Sequence, residues 1–93
     1  MKTLTMIEMA GCPYCANAHR AIEALRTEGY ERVQVDFIDE NKEPEKTQSF
    51  ARQYYYVPSI FMDGEKLYEA QPGQSYDKIY GEVKRVFDAA RAD

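Results

Sequence analysis

The sequence predicts an α/β fold in the order β-α-β-α-β-β-α, a four-stranded mixed sheet flanked by helices, filling one domain over residues 1–93. Three observations carry this reading. The apolar pattern switches between strand-like and helix-like periods along the chain. An Asp63-Gly64 pair stands between two short apolar runs, which is the strongest two-residue hairpin signal. The composition, 44% hydrophobic and 30% charged, suits a chain that folds around one core rather than a disordered one.

Residues 4–9, Leu-Thr-Met-Ile-Glu-Met, are apolar in both phases until Glu8, as in a strand covered on both faces. After Gly11 the period becomes helical. Ala18, Ala21, Ile22 and Leu25 fall at i, i+3, i+4 and i+7 with polar residues between them, which predicts a helix over about 13–28 stopped by Gly29. Val33, Val35 and Phe37 alternate with Gln34 and Asp36, giving a second strand over 32–38. Strand, helix, strand in that order implies a parallel pair joined by a right-handed crossover.

Asp39-Glu40-Asn41-Lys42 reads as a polar loop, and the charge run 39–46 as solvated with no site implied. Pro44 suits the first turn of a second helix, and Phe50, Ala51 and Tyr54 give that helix an apolar face through about residue 54. Val57 to Met62 is a third strand with its proline at the start, where a strand tolerates one. The chain then returns antiparallel through Lys66, Leu67 and Tyr68. Pro72-Gly73 breaks it, Ser75 is the N-cap, and Ile79, Val83, Val86, Phe87 and Ala90 mark a last amphipathic helix over about 76–91.

With 12 basic and 16 acidic side chains the net charge is −4, and no basic block exists to track phosphates, so nucleic acid is not the expected partner. No run approaches the ~18 apolar residues of a membrane span, and the first residues lack a signal peptide's apolar segment. The expectation is therefore a cytoplasmic protein, monomeric, without membrane or nucleic-acid partners.

That leaves Cys12-Pro13-Tyr14-Cys15 where the first strand meets the first helix. Helix N-termini present unsatisfied backbone N–H groups and the positive end of the macrodipole, and both favour a thiolate at Cys12. Cys15, one turn along, is close enough to form a disulfide with Cys12. The expected cycle has Cys12 attack a substrate disulfide and Cys15 resolve the mixed disulfide. Pro13 presets the helical φ, and Tyr14 sets an aromatic ring beside the reactive sulfur.

Cys-Pro-Tyr-Cys at the end of a first strand, followed some forty residues later by Val57-Pro58 opening another, resembles glutaredoxin within the thioredoxin superfamily, over nearly the whole chain. The resemblance implies a thioredoxin-like fold, a cis Pro58 opposite Cys12, and Tyr56, Val57 and Pro58 shaping a substrate groove, with the Val57 backbone pairing with bound peptide or glutathione. It implies no bound cofactor, glutathione as a co-substrate, and disulfide-containing proteins as partners. Met9 stands where glutaredoxins usually carry a lysine, Tyr56 where they carry threonine, and no Gly-Gly-x-Asp segment precedes the last helix. The electron donor thus stays open between glutathione and a thioredoxin reductase.

Two blander readings stand beside this one. Cys12, Cys15 and His19 could face a zinc ion, but a fourth ligand is not evident and no metal is expected. The fold could also dock partners without turnover. His19 reads as an exposed helix residue, Glu8 as a solvated strand end, and Tyr54-Tyr55-Tyr56 as half core and half stacking surface.

Overall fold

The structure is a computed structural model describing residues 1–92. Seven elements follow the predicted order: β1 (Leu4–Glu8), α1 (Pro13–Arg26), β2 (Val35–Asp39), a 3₁₀ segment (Pro44–Phe50), β3 (Ser59–Met62), β4 (Glu65–Glu69) and α2 (Tyr76–Ala92). They form a mixed sheet in the order β2-β1-β3-β4. β1 runs parallel to β2 and antiparallel to β3, and β3 pairs antiparallel with β4. This is the thioredoxin-like arrangement the sequence predicts. Among the described residues, no helix is long and apolar enough to cross a membrane.

The unbroken apolar character of β1 follows from its interior place, because side chains of both phases are covered. Leu4 and Met6, with Ile60 of β3 and Tyr68 of β4, join a large cluster with Ala18, Ile22 and Leu25 of α1 and Ile79, Val83 and Phe87 of α2. Ile7, in the other phase, joins Phe61, Val57, Cys12 and Cys15. The hairpin is as predicted: Asp63 at φ 53° and Gly64 at φ 82° both take left-handed backbone, the requirement of a tight turn matched to strand twist. A register shift between Ile60 and Phe61 leaves Leu67 as the extra residue of a β-bulge. Ser75 caps α2 by accepting the Lys78 N–H at 3.2 Å.

The second helix departs most from expectation. A 3₁₀ segment stops at Phe50 and buries none of its residues, and the chain leaves through Ala51 in extended backbone and Arg52 at φ 69°. Thr47 and Ser49 are weak helix formers, and the Thr47 hydroxyl donates back to the Pro44 carbonyl at 2.9 Å. Phe50 and Tyr54 still cover the sheet, with rings 4.6 and 6.3 Å from that of Phe61. β2 also starts later than predicted. Val33 is buried in the turn before it, while Phe37 on this edge strand is 39% exposed and stacks on His19 of α1 at 4.7 Å. β3 begins at Ser59, two residues later than predicted, and the Val57-Pro58 bond before it is cis.

Candidate dithiol site

β1 and β2 end on the same side of the sheet, and the segments beyond their carboxyl ends form the site, the usual place for one in a sheet with parallel strands. Gly11 makes the crossing from β1 to α1 at φ 79°, backbone that side chains other than glycine rarely adopt. It delivers Cys12 as the N-cap of α1, with Pro13 at the first helical position. A cap normally offers a side-chain oxygen to the free N–H groups of the first turn. Here the acceptor is sulfur: the Cys15 N–H donates to Cys12 Sγ at 3.1 Å. Across from it, the Cys12 thiol donates to the Val57 carbonyl at 3.6 Å, so the sulfur sits between the helix start and the cis Val57-Pro58 bond.

Cys12 is only 7% exposed, so it is less open than a thiol simply displayed at a helix start. It is reached through a cleft of about 310 Å³ lined by Met9, Gly11, Cys12, Pro13, Tyr14, Glu40, Tyr55, Tyr56 and Val57. Cys15 lies behind it at 3% exposure, and both cysteines are free thiols. Burial, then the hydrogen bond with Cys12, push the Cys15 thiol far above its usual range, with the charges of Cys12 and Glu8 adding to that and a Met9 N–H opposing it. At neutral pH Cys15 is thus held protonated.

Three residues of the Cys-Pro-Tyr-Cys turn, Cys12, Pro13 and Tyr14, meet Tyr56 and Val57 at the cleft wall, while Cys15 lies behind. Pro58 does not reach the wall; it is fully buried, and its carbonyl accepts the Ala70 N–H at 3.0 Å. Tyr14 does a second job, its hydroxyl accepting the Gly73 N–H at 2.7 Å and tying the turn to the segment before α2.

Sequence reading missed Glu40 as a cleft residue, while Tyr55 and Tyr56, the stacking half of the tyrosine run, both line the cleft. Glu40 lies in the stretch read as solvated with no site, yet it lines the cleft and its carboxylate accepts the Tyr54 hydroxyl at 2.8 Å. Its position just past the carboxyl end of β2 was the available signal. Tyr55 is 92% exposed and Tyr56 47%, so two of the three tyrosines form surface and Tyr54 the cover over Phe61. One carboxylate sets the path of these two tyrosines: Glu69 of β4 accepts the Tyr55 and Tyr56 N–H groups at 2.6 and 2.7 Å and pairs with Lys66 at 2.6 Å. Glu8 is not solvated as expected, since it meets His19 Nε2 at 2.6 Å. Among the described residues, no group of three or more His, Cys, Asp or Glu side chains is arranged to hold a metal ion.

No family model matches the chain, and no curated protein matches it either. Among solved structures it is similar to one described as the structure of a malarial protein, at 14% identity and a TM-score of 0.59, with 89% of this chain and 93% of that one covered. It is also similar to the holo form of glutaredoxin C1 from Populus tremula x tremuloides, at 12% identity and a TM-score of 0.52, with 96% of this chain and 86% of that one covered. The likeness is one of fold, a glutaredoxin-like sheet and helices.

Proposed function

We propose that the protein is a dithiol-disulfide oxidoreductase of glutaredoxin-like type, acting as a monomer in the cytoplasm, with Cys12 as nucleophile and Cys15 as resolving thiol. The observation that supports it best is the division between the two sulfurs. Cys12 accepts an N–H of the first helical turn at the wall of a cleft, and Cys15 lies buried behind it, held protonated. The Cys15 N–H and the Val57 carbonyl fix the position of Cys12 Sγ, and disulfide exchange proceeds by its attack as thiolate.

In the proposed cycle the Cys12 thiolate attacks one sulfur of a substrate disulfide. A Cys12–substrate S–S bond forms, the substrate S–S bond breaks, and the departing thiolate takes up a proton. Cys15 then loses its proton and attacks Cys12 Sγ, forming the Cys12–Cys15 disulfide and releasing the second substrate thiol. Two electrons pass from the dithiol to the substrate. An external thiol reductant restores the dithiol, glutathione and a thioredoxin reductase being the two sources to compare. Tyr14, Tyr56 and the Val57 backbone hold the substrate segment beside Cys12, and Pro58 shapes the groove from behind.

Cys12→Ser is expected to abolish reduction of a disulfide substrate. Cys15→Ser is expected to keep the first attack and accumulate a mixed disulfide visible by mass spectrometry. Full activity in Cys12→Ser, or no trapped adduct in Cys15→Ser, would overturn the assignment of roles.

A further inference from the structure

Among the described residues lining the cleft, Glu40 is the one carboxylate and none is Lys, Arg or His. The rest of the wall is apolar or aromatic, with Tyr14, Tyr55 and Tyr56 around the approach to Cys12. The Tyr55 and Tyr56 rings lie 6.4 Å apart and inclined by 44°, and both are largely in solvent. Glu69 holds the backbone N–H groups of both tyrosines, and Tyr54 orients the Glu40 carboxylate. Tyrosine faces attract cations, and a carboxylate beside them adds a direct ionic partner.

We infer that this cleft selects disulfides in polypeptide segments whose cysteine is flanked by apolar or aromatic residues and by a lysine or arginine, the cation seated between Glu40 and the Tyr55-Tyr56 pair. The inference rests on the oxidoreductase reading and specifies its substrate class. Glutathione is the contrasting case. It carries two carboxylates against one ammonium, a net negative charge, and this cleft offers them the Glu40 carboxylate with no basic side chain in its wall. Like charges brought together at a partly desolvated contact oppose binding, so the cleft discriminates against it.

The test uses the reduced full-length protein and four disulfides: symmetric peptide disulfides of Lys-Phe-Cys-Tyr-Lys, Gln-Phe-Cys-Tyr-Gln and Glu-Phe-Cys-Tyr-Glu, and glutathione disulfide. Each second-order rate of protein oxidation is divided by the rate for dithiothreitol, which removes the substrates' own reactivity. The expected order is lysine, then glutamine, then glutamate and glutathione, with roughly tenfold between the first and last, equivalent to about 1.4 kcal/mol. In Glu40→Gln the lysine-to-glutamate ratio is expected to fall to about threefold or less. Because that substitution also alters the Tyr54 contact, the unmodified protein supplies a second measure: its ratio should shrink as salt rises from about 0.01 to 1 M, where the screening length falls from about 30 to 3 Å. Equal normalised rates for all four disulfides, or a ratio unmoved by both Glu40→Gln and salt, would overturn the selectivity while leaving the redox reading intact. Failure of every disulfide to oxidise the protein would remove both.

Discussion

The two faces of the sheet are covered in different ways. On one, α1 and α2 lay Ala18, Ile22, Leu25, Val83 and Phe87 over Leu4, Met6 and Ile60, with Tyr30 and Val33 closing one end. On the other, a short 3₁₀ segment and an irregular tyrosine stretch supply Phe50 and Tyr54 over Phe61 and Ile7, and the two thiols sit at the margin of this smaller cluster. Burial of apolar surface is the main stabilising term, so the helical face should hold most of the stability. The thin face leaves an opening, and the cleft beside Cys12 is that opening. The separation shows how a chain of 93 residues keeps a reactive sulfur reachable without thinning its main core.

The largest effect should come from the helical face. Phe87 is fully buried there and its ring lies 6.1 Å from that of Tyr30. Phe87→Ala removes a large side chain from a closed site and is expected to cost about 3–5 kcal/mol, measured by urea unfolding. Where the variant is still folded, the rate of thiol alkylation at Cys12 should change little. A loss below about 1 kcal/mol would mean that the two faces share the load evenly, contrary to their construction.

The same division separates what the sequence made legible from what it did not. The helical face was readable because its elements are long and periodic: Ala18, Ala21, Ile22 and Leu25 on α1 and Ile79, Val83, Val86, Phe87 and Ala90 on α2 are all buried as their spacing requires. Cys12 and Cys15 were readable because their spacing and place at a strand-helix junction are local features. The thin face was not. Phe50, Ala51 and Tyr54 mimic a helical stripe, yet Phe50 and Tyr54 approach Phe61 from a 3₁₀ segment and a turn and Ala51 is left exposed, so tertiary packing and the Thr47 hydroxyl's bond to the Pro44 carbonyl override the period. Glu40 and Glu69 were illegible for another reason. Their roles depend on partners 13 to 14 residues away in sequence, Tyr54 for one and the Tyr55 and Tyr56 N–H groups for the other, and no periodicity encodes such a pairing.

A middle-sized effect is expected from the clamp on the thin face. Burial alone would raise the Glu69 carboxyl, but Lys66 and the N–H groups of Tyr56 and Tyr55 outweigh it and hold the group below its usual range. A depressed folded-state value means stability that is present above the ordinary glutamate range, near pH 4.5, and is lost as pH falls through the lower folded value. Glu69→Gln keeps one acceptor oxygen but removes the charge, and is expected to cost about 1–2 kcal/mol at pH 7. The difference between parent and variant should narrow below about pH 4.5, and comparing the two proteins cancels the other acids, Glu82 and Asp88, that titrate low in both. The peptide oxidation rate should fall by a larger factor than in Phe87→Ala, because Tyr55 and Tyr56 lose their fixed course. A pH-independent difference would show that the charge of Glu69 is not what holds the loop.

The smallest effect, and the one that isolates the cleft from its cover, is Tyr54→Phe. The ring that packs on Phe61 remains, and only the hydroxyl that donates to Glu40 at 2.8 Å is lost. A half-buried hydrogen bond to a carboxylate is worth about 0.5–1.5 kcal/mol, so unfolding in urea should shift by that much at pH 7. Burial and then the Glu40 hydrogen bond push the Tyr54 hydroxyl up to about 12. A folded-state value raised above the ordinary tyrosine value of about 10 contributes stability that is fully present below about pH 10 and is lost as pH rises through about 12. The gap between Tyr54→Phe and the parent should therefore stay constant from pH 7 to about 10 and close above it. The lysine-to-glutamate rate ratio should drop only part of the way toward that of Glu40→Gln, since the carboxylate is still there but no longer oriented. A ratio unchanged in Tyr54→Phe would mean that the charge of Glu40 acts without the hydroxyl's help; a ratio as low as in Glu40→Gln would mean that its orientation carries the whole effect.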